Sequence, residues 1–69
     1  MRLLYNTTCF YSLAGEVDLA IEALEKTVAA GYSVPDWVRN DSDLDNIRDD
    51  PRFEPLLQRM EENRLAGQS

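Results

Sequence analysis

Along the first fourteen residues, Leu3, Leu4, Thr7, Phe10, Tyr11 and Ala14 recur at intervals of three and four, while Asn6 and Ser12 fall off that face. This is the spacing of one side of an α-helix, so a first helix is predicted over residues 2–13. Val17, Ala20, Ile21, Leu24 and Val28 keep the rule more strictly and leave Glu16, Glu22, Glu25 and Lys26 for solvent, which predicts a second helix over residues 17–30. The segment between them is too short for anything but an antiparallel connection. Gly15 can take the positive φ that ends the first helix, and Gly31 can do the same for the second, with Tyr32 folding back onto the last turn. Glu22 and Lys26 stand four apart in the favourable order and form a solvent-side ion pair.

After Tyr32 the long periodicity breaks up. Pro35 forces Val34 to be extended and itself fits the first position of a short turn, residues 35–40, that carries Trp37 and Val38. Ser42 or Asp41 can cap a second turn over residues 43–47, in which Leu44 and Ile47 point the same way. Asp50-Pro51 then opens a third helix whose stripe is Phe53, Leu56, Leu57 and Met60 and which runs to Arg64 or Leu65. Pro55 is expected to loosen its first turn, and residues 66–69 to fray. The predicted fold is all-α: an antiparallel helical hairpin, then short helical turns, then a C-terminal capping helix. One structural domain is expected, with the hairpin in residues 1–32 and the cap in 33–69. Its core should combine both halves of the hairpin with Trp37, Leu44, Ile47 and Phe53, Trp37 filling the gap between helices.

Leu4, Thr7, Thr8, Tyr11, Gly15, Ala20 and Leu24 stand at the spacing of the tetratricopeptide repeat, and the hairpin resembles one such repeat. Tyr11 and Ala20 match its pattern directly, and Leu24 takes a place usually aromatic. Thr7, Thr8 and Tyr32 depart from its usual leucine, glycine and proline. The acidic run from Asn40 to Phe53, with Trp37 before it, is similar to the segment that closes many bacterial arrays of this repeat. The resemblance implies a noncatalytic module that binds a protein or peptide through the inner face of its first helix, here Arg2, Leu3, Asn6 and Phe10. About three repeats are needed to form a groove, so the chain is expected to be the terminal repeat of a larger array, or a repeat that associates with itself. In that case the missing neighbour leaves Leu3, Tyr5 and Phe10 bare on the first helix, and self-association through this surface follows.

Composition narrows the function further. At 69 residues, 43% hydrophobic and 29% charged, the chain can fold but its core is thin relative to its surface. A net charge of −6 opposes binding to nucleic acid, where affinity rests on Lys and Arg neutralising phosphates. No apolar run reaches the length of a membrane span and the first residues lack a signal-peptide core, so a cytoplasmic protein is expected. Cys9 is the single cysteine and can form no internal disulfide; Asn6-Thr7-Thr8, formally a glycosylation site, sits inside a helix.

Candidate chemistry is sparse. Asp41, Asp43 and Asp45 alternate like the first ligands of a calcium loop, but Asn46 stands where that loop needs glycine and Arg52 where it needs a bidentate glutamate. The aspartates are therefore expected to cap short turns and to pair with Arg39, Arg48 and Arg52. Cys9 lacks a base, because the chain contains no histidine, and is expected to be a small residue buried in a helix contact. The three glycines are isolated and make no phosphate loop. No catalytic residue, cofactor or metal is predicted. The alternatives to an interaction module are a purely structural array cap and a small metal-binding protein.

Overall fold

The computed structural model describes residues 2–67, and the side chains from residue 3 onward. Gly15 (φ 79°) and Gly31 (φ 98°) adopt the left-handed conformation at the two helix ends where it is needed. Helix α1 spans Arg2–Leu13 and α2 spans Val17–Ala29. Each closes with the same pair of hydrogen bonds. The N–H groups of Gly15 and Glu16 donate to the carbonyls of Ser12 (3.1 Å) and Tyr11 (2.9 Å), and those of Gly31 and Tyr32 donate to Val28 (3.0 Å) and Thr27 (3.3 Å). These bonds satisfy carbonyls that the helix ends would leave open and turn the chain back sharply. The second turn also sets Tyr32 against the Tyr5 ring, with centroids 5.3 Å apart and planes 13° from parallel.

Three further helices follow: α3 (Pro35–Asn40), α4 (Asp45–Arg48), which continues a 3₁₀ turn at Ser42–Leu44, and α5 (Phe53–Ala66). Among the described residues there is no strand, and the all-α hairpin with turns and a final helix is the architecture. α1 packs along α2; the 3₁₀ turn and α4 lie across the open side of that pair, and α5 closes it against α2 and α3. Leu44, Ile47, Phe53, Leu57 and Met60 are fully or almost fully buried with Ile21, Leu24 and Val28 in one cluster. Each side chain so covered contributes about 1.5–3 kcal/mol. Exposed ion pairs such as Glu22–Lys26 (3.6 Å) contribute about 0–1 kcal/mol each.

Four expectations need correction. Trp37 is not in the core; it is 67% exposed, and Val38 takes the inward place. The two positions are about 100° apart on a helix, and Pro35 at the start of α3 sets a register that turns itself and Val38 inward. Second, the face of α1 that packs is rotated from the one predicted. Tyr5, Thr8 and Ser12 are buried, Leu4, Cys9 and Tyr11 half-buried, and Leu3 (77%) and Phe10 (66%) are exposed. α2, against which α1 packs, buries small residues of its own at Ala20, Ala23 and Thr27. The buried Thr8 and Thr27 hydroxyls donate to the carbonyls of Leu4 (3.1 Å) and Ala23 (2.9 Å). Bonded to their own helix, they behave as small apolar residues.

Third, α5 begins at Phe53, two residues after Pro51. Asp50 caps a preceding turn, accepting from the Arg52 N–H at 2.9 Å, and the Phe53 N–H donates to the Asp50 carbonyl. Pro55 thereby falls in the first helical turn, whose N–H groups have no intrahelical acceptor, and its missing donor disturbs nothing. Fourth, Arg39 and Arg52 do not pair with the alternating aspartates. Arg39 reaches Asp36 (4.0 Å) and Glu54, while Arg52 holds Asp50 and, at 2.8 Å, Asp18. Only Arg48 pairs as expected, with Asp45. At the far end Ala66 is still helical and the Gly67 N–H donates to the Asn63 carbonyl; residues 68 and 69 lie outside the description.

Candidate functional site

The rotation of α1 leaves a stripe on its outer side. Leu3, Phe10 and Leu13, three to seven residues apart, are 77%, 66% and 63% exposed, with Asn6 on the same side and also exposed. Helical spacing makes this one continuous strip, and none of the twelve residues of α1 is acidic although the chain carries 13 Asp and Glu. Of the residues predicted to meet a partner, Leu3, Asn6 and Phe10 are therefore brought together on an accessible face. The Arg2 side chain lies outside the description. Tyr5, expected to be bare on this helix, is 7% exposed and points the other way.

Tyr5 belongs to a second feature, which the sequence did not reveal. Its hydroxyl donates to Asp41 Oδ2 at 2.5 Å, bridging 36 residues and tying α1 to the turn after α3. Asp41 Oδ1 accepts from the Asp43 N–H at 3.0 Å, and the Asp41 carbonyl accepts from Arg48 Nη2 at 2.8 Å. One aspartate thus caps the 3₁₀ turn and anchors it to the hairpin. Asn46 adds a second tie by donating to the Ser12 carbonyl at 2.7 Å. No local pattern distinguishes Asp41 from its acidic neighbours; only the apposition of α1 selects it.

Beside this anchor lies a groove of about 560 Å³. It is lined by Tyr5, Asn6 and Cys9 of α1, by Tyr32, Val34 and Trp37, and by the carboxylates Asp41 and Asp43. Cys9 Sγ is 3.9 Å from Asp41 Oδ2. Burial first, then the charges of Asp41 and Asp43, push the thiol up to about 11 from an ordinary 9.0, while burial and the bond to Asp41 raise the Tyr5 hydroxyl well above the usual phenol range. A group whose pKa is raised by folding stabilises fully below its unfolded value and loses that contribution as pH climbs toward the folded one. Melting temperature is therefore expected to fall from about pH 9 to about pH 11, and to fall less in a Cys9→Ala variant. At neutral pH the same shift should slow alkylation by iodoacetamide roughly tenfold or more relative to an unstructured cysteine peptide. An equal rate would contradict the burial of the thiol beside two carboxylates.

Cys9 Sγ and one oxygen each of Asp41 and Asp43 lie within 4.8 Å of one another, a spacing that admits a cation. Asp41 already spends one oxygen on Tyr5 and the other on the Asp43 N–H, so its share of such a site is small. The chain contains no histidine, and burial and the carboxylates beside Cys9 hold its thiol protonated at neutral pH. No helix among the described residues is long and apolar enough to cross a membrane.

Comparison with known proteins adds little to this geometry. No protein-family model matches the chain, and no solved structure matches it significantly. It is similar to a chloroplastic protein of Arabidopsis thaliana, 36% identical over 59 residues that cover 86% of this chain. The match takes in 18% of that protein, so the chain spans less than a fifth of the curated relative it matches.

Proposed function

We propose that the chain is a noncatalytic protein-interaction module of tetratricopeptide type that associates with a second copy of itself through the outer face of α1. The observation that carries this reading is the strip Leu3, Phe10 and Leu13, exposed on a helix whose opposite face is fully packed. Large apolar side chains held in line on a rigid helix are stabilised by meeting another apolar surface. Charge favours a second copy as that surface. Two molecules of net charge −6 repel wherever acidic faces meet, but α1 carries no carboxylate, and antiparallel α1 helices can pair by a two-fold axis without apposing like charges. In an array, the same strip would meet the last helix of a preceding repeat. A cytoplasmic location belongs to this proposal; the relative's own description is chloroplastic.

Amide spectra recorded on dilution from millimolar to low micromolar protein test the surface. Signals of Leu3, Asn6, Phe10 and Leu13 are expected to shift with concentration while those of α5 stay in place. Shifts confined to α5, or none, would contradict it. The structural-cap alternative differs at the same residues, since replacing Asn6 or Phe10 by alanine would then leave every partner bound.

A further inference from the structure

The groove beside Asp41 is built unlike the α1 strip and shares only Asn6 with it. Trp37 is 67% exposed and Val34 is exposed as well, although Val38 and Pro35, their neighbours in the same short helix and its approach, are buried. A second hollow of about 670 Å³ adjoins the first and shares Trp37, Asp41 and Asp43 with it, adding Asp36. The indole thus stands as a ridge between two hollows, with carboxylates on both sides. No Lys or Arg lines either hollow. Arg48 reaches Asp41 only at its backbone carbonyl (2.8 Å) and pairs through its other nitrogen with Asp45, while Arg39 reaches Asp36 at 4.0 Å and gives its other nitrogen to Glu54. Asp43 makes no ion pair among the described residues.

An aromatic face open to water beside an uncompensated carboxylate attracts a cation that also has apolar surface. Arginine fits better than lysine: its guanidinium is flat enough to stack on the indole and presents a fork of donors to a carboxylate. Its aliphatic stem can cover Val34. We infer that this groove takes an arginine-bearing extended segment of a partner protein, with the guanidinium on Trp37 and paired to Asp43. The inference rests on the reading of the chain as an interaction module and names the chemistry of a partner other than itself.

Trp37 is the sole tryptophan, so its fluorescence reports on the groove directly. The full chain is titrated with a short blocked peptide of arginines among alanines and serines, and with counterparts in which citrulline or glutamate replaces arginine. Saturable change in emission is expected with the arginine peptide, weakening as salt rises, with the citrulline peptide bound at least about tenfold more weakly and the glutamate peptide not at all. Asp43→Asn should weaken the arginine peptide roughly tenfold, and Trp37→Ala, read by anisotropy of a labelled peptide, by a similar factor. Both side chains lie outside the core, so circular dichroism of the two variants should match wild type. Equal affinity for the arginine and citrulline peptides would overturn the inference. So would binding indifferent to both substitutions, or binding that requires added zinc or calcium and vanishes with chelator. A dimer that binds no arginine peptide sinks this inference alone; a monomer that binds it sinks the self-association alone.

Discussion

Replacing Phe53 by alanine is expected to lower the melting temperature by at least about 15 °C and to leave much of the protein unfolded at 37 °C. Phe53 is fully buried where α5 begins, among Leu44, Ile47 and Leu57. Removing a buried phenylalanine costs about 3–5 kcal/mol. A 69-residue domain has a total stability of only about 3.5–10 kcal/mol by ordinary per-residue values. The side chain that fastens α5 to the turns is thus worth a large share of the whole. Trp37→Ala is the control. An exposed tryptophan should cost under about 1 kcal/mol, whereas a tryptophan between the helices would cost as much as Phe53. Urea unfolding of the two variants decides between these arrangements, and similar losses at both positions would contradict the register of α3.

The second large effect falls on Asp41. Asp41→Ala leaves the buried Tyr5 hydroxyl without its acceptor and uncaps the turn that follows, for a combined loss of about 2–4 kcal/mol. Asp41→Asn keeps one acceptor oxygen, which can serve the Asp43 N–H but not the Tyr5 hydroxyl as well, and should recover only part of the loss. A double-mutant cycle with Tyr5→Phe isolates the contact, and a coupling of at least about 1 kcal/mol is expected. Coupling near zero would mean that Tyr5 and Asp41 are bound to water and not to each other. The bond matters beyond stability, because Tyr5 and Asp41 both line the groove with Asp43 and Trp37.

How much of this could be read beforehand depended on the length of each pattern. α2 has thirteen residues and one apolar face, and its bounds and buried side followed from spacing, as did the stripe of α5. The glycines that end α1 and α2 were legible because little else adopts a positive φ. Leu44 and Ile47 stood out as the apolar residues of an acidic stretch. α1 was harder, since it has two usable faces. Its large apolar residues suggested one of them, and the packing chose the other, which buries Thr8 and Ser12 beside Tyr5. Hydroxyl groups read as polar in a sequence; the bonds of Thr8 and Thr27 to the preceding turn are visible only in the fold. Trp37 and Val38 failed for another reason, because six residues of helix are too few for a period to say which of two neighbours turns inward. The groove required residues 6, 9, 32, 37, 41 and 43 to converge from three elements, and nothing local signals that.

Whether the bare side of α1 is a surface for another molecule decides the proposed function. Sedimentation velocity across low to high micromolar concentration, on wild type and on Phe10→Glu, tests this directly. Phe10 is mostly exposed, so the substitution should leave the fold intact by circular dichroism while placing a charge in the middle of the strip. Wild type is predicted to shift from monomer toward dimer as concentration rises, and the variant to stay monomeric throughout. A wild-type chain that sediments as a monomer at every concentration, or a variant that dimerises equally well, would contradict it.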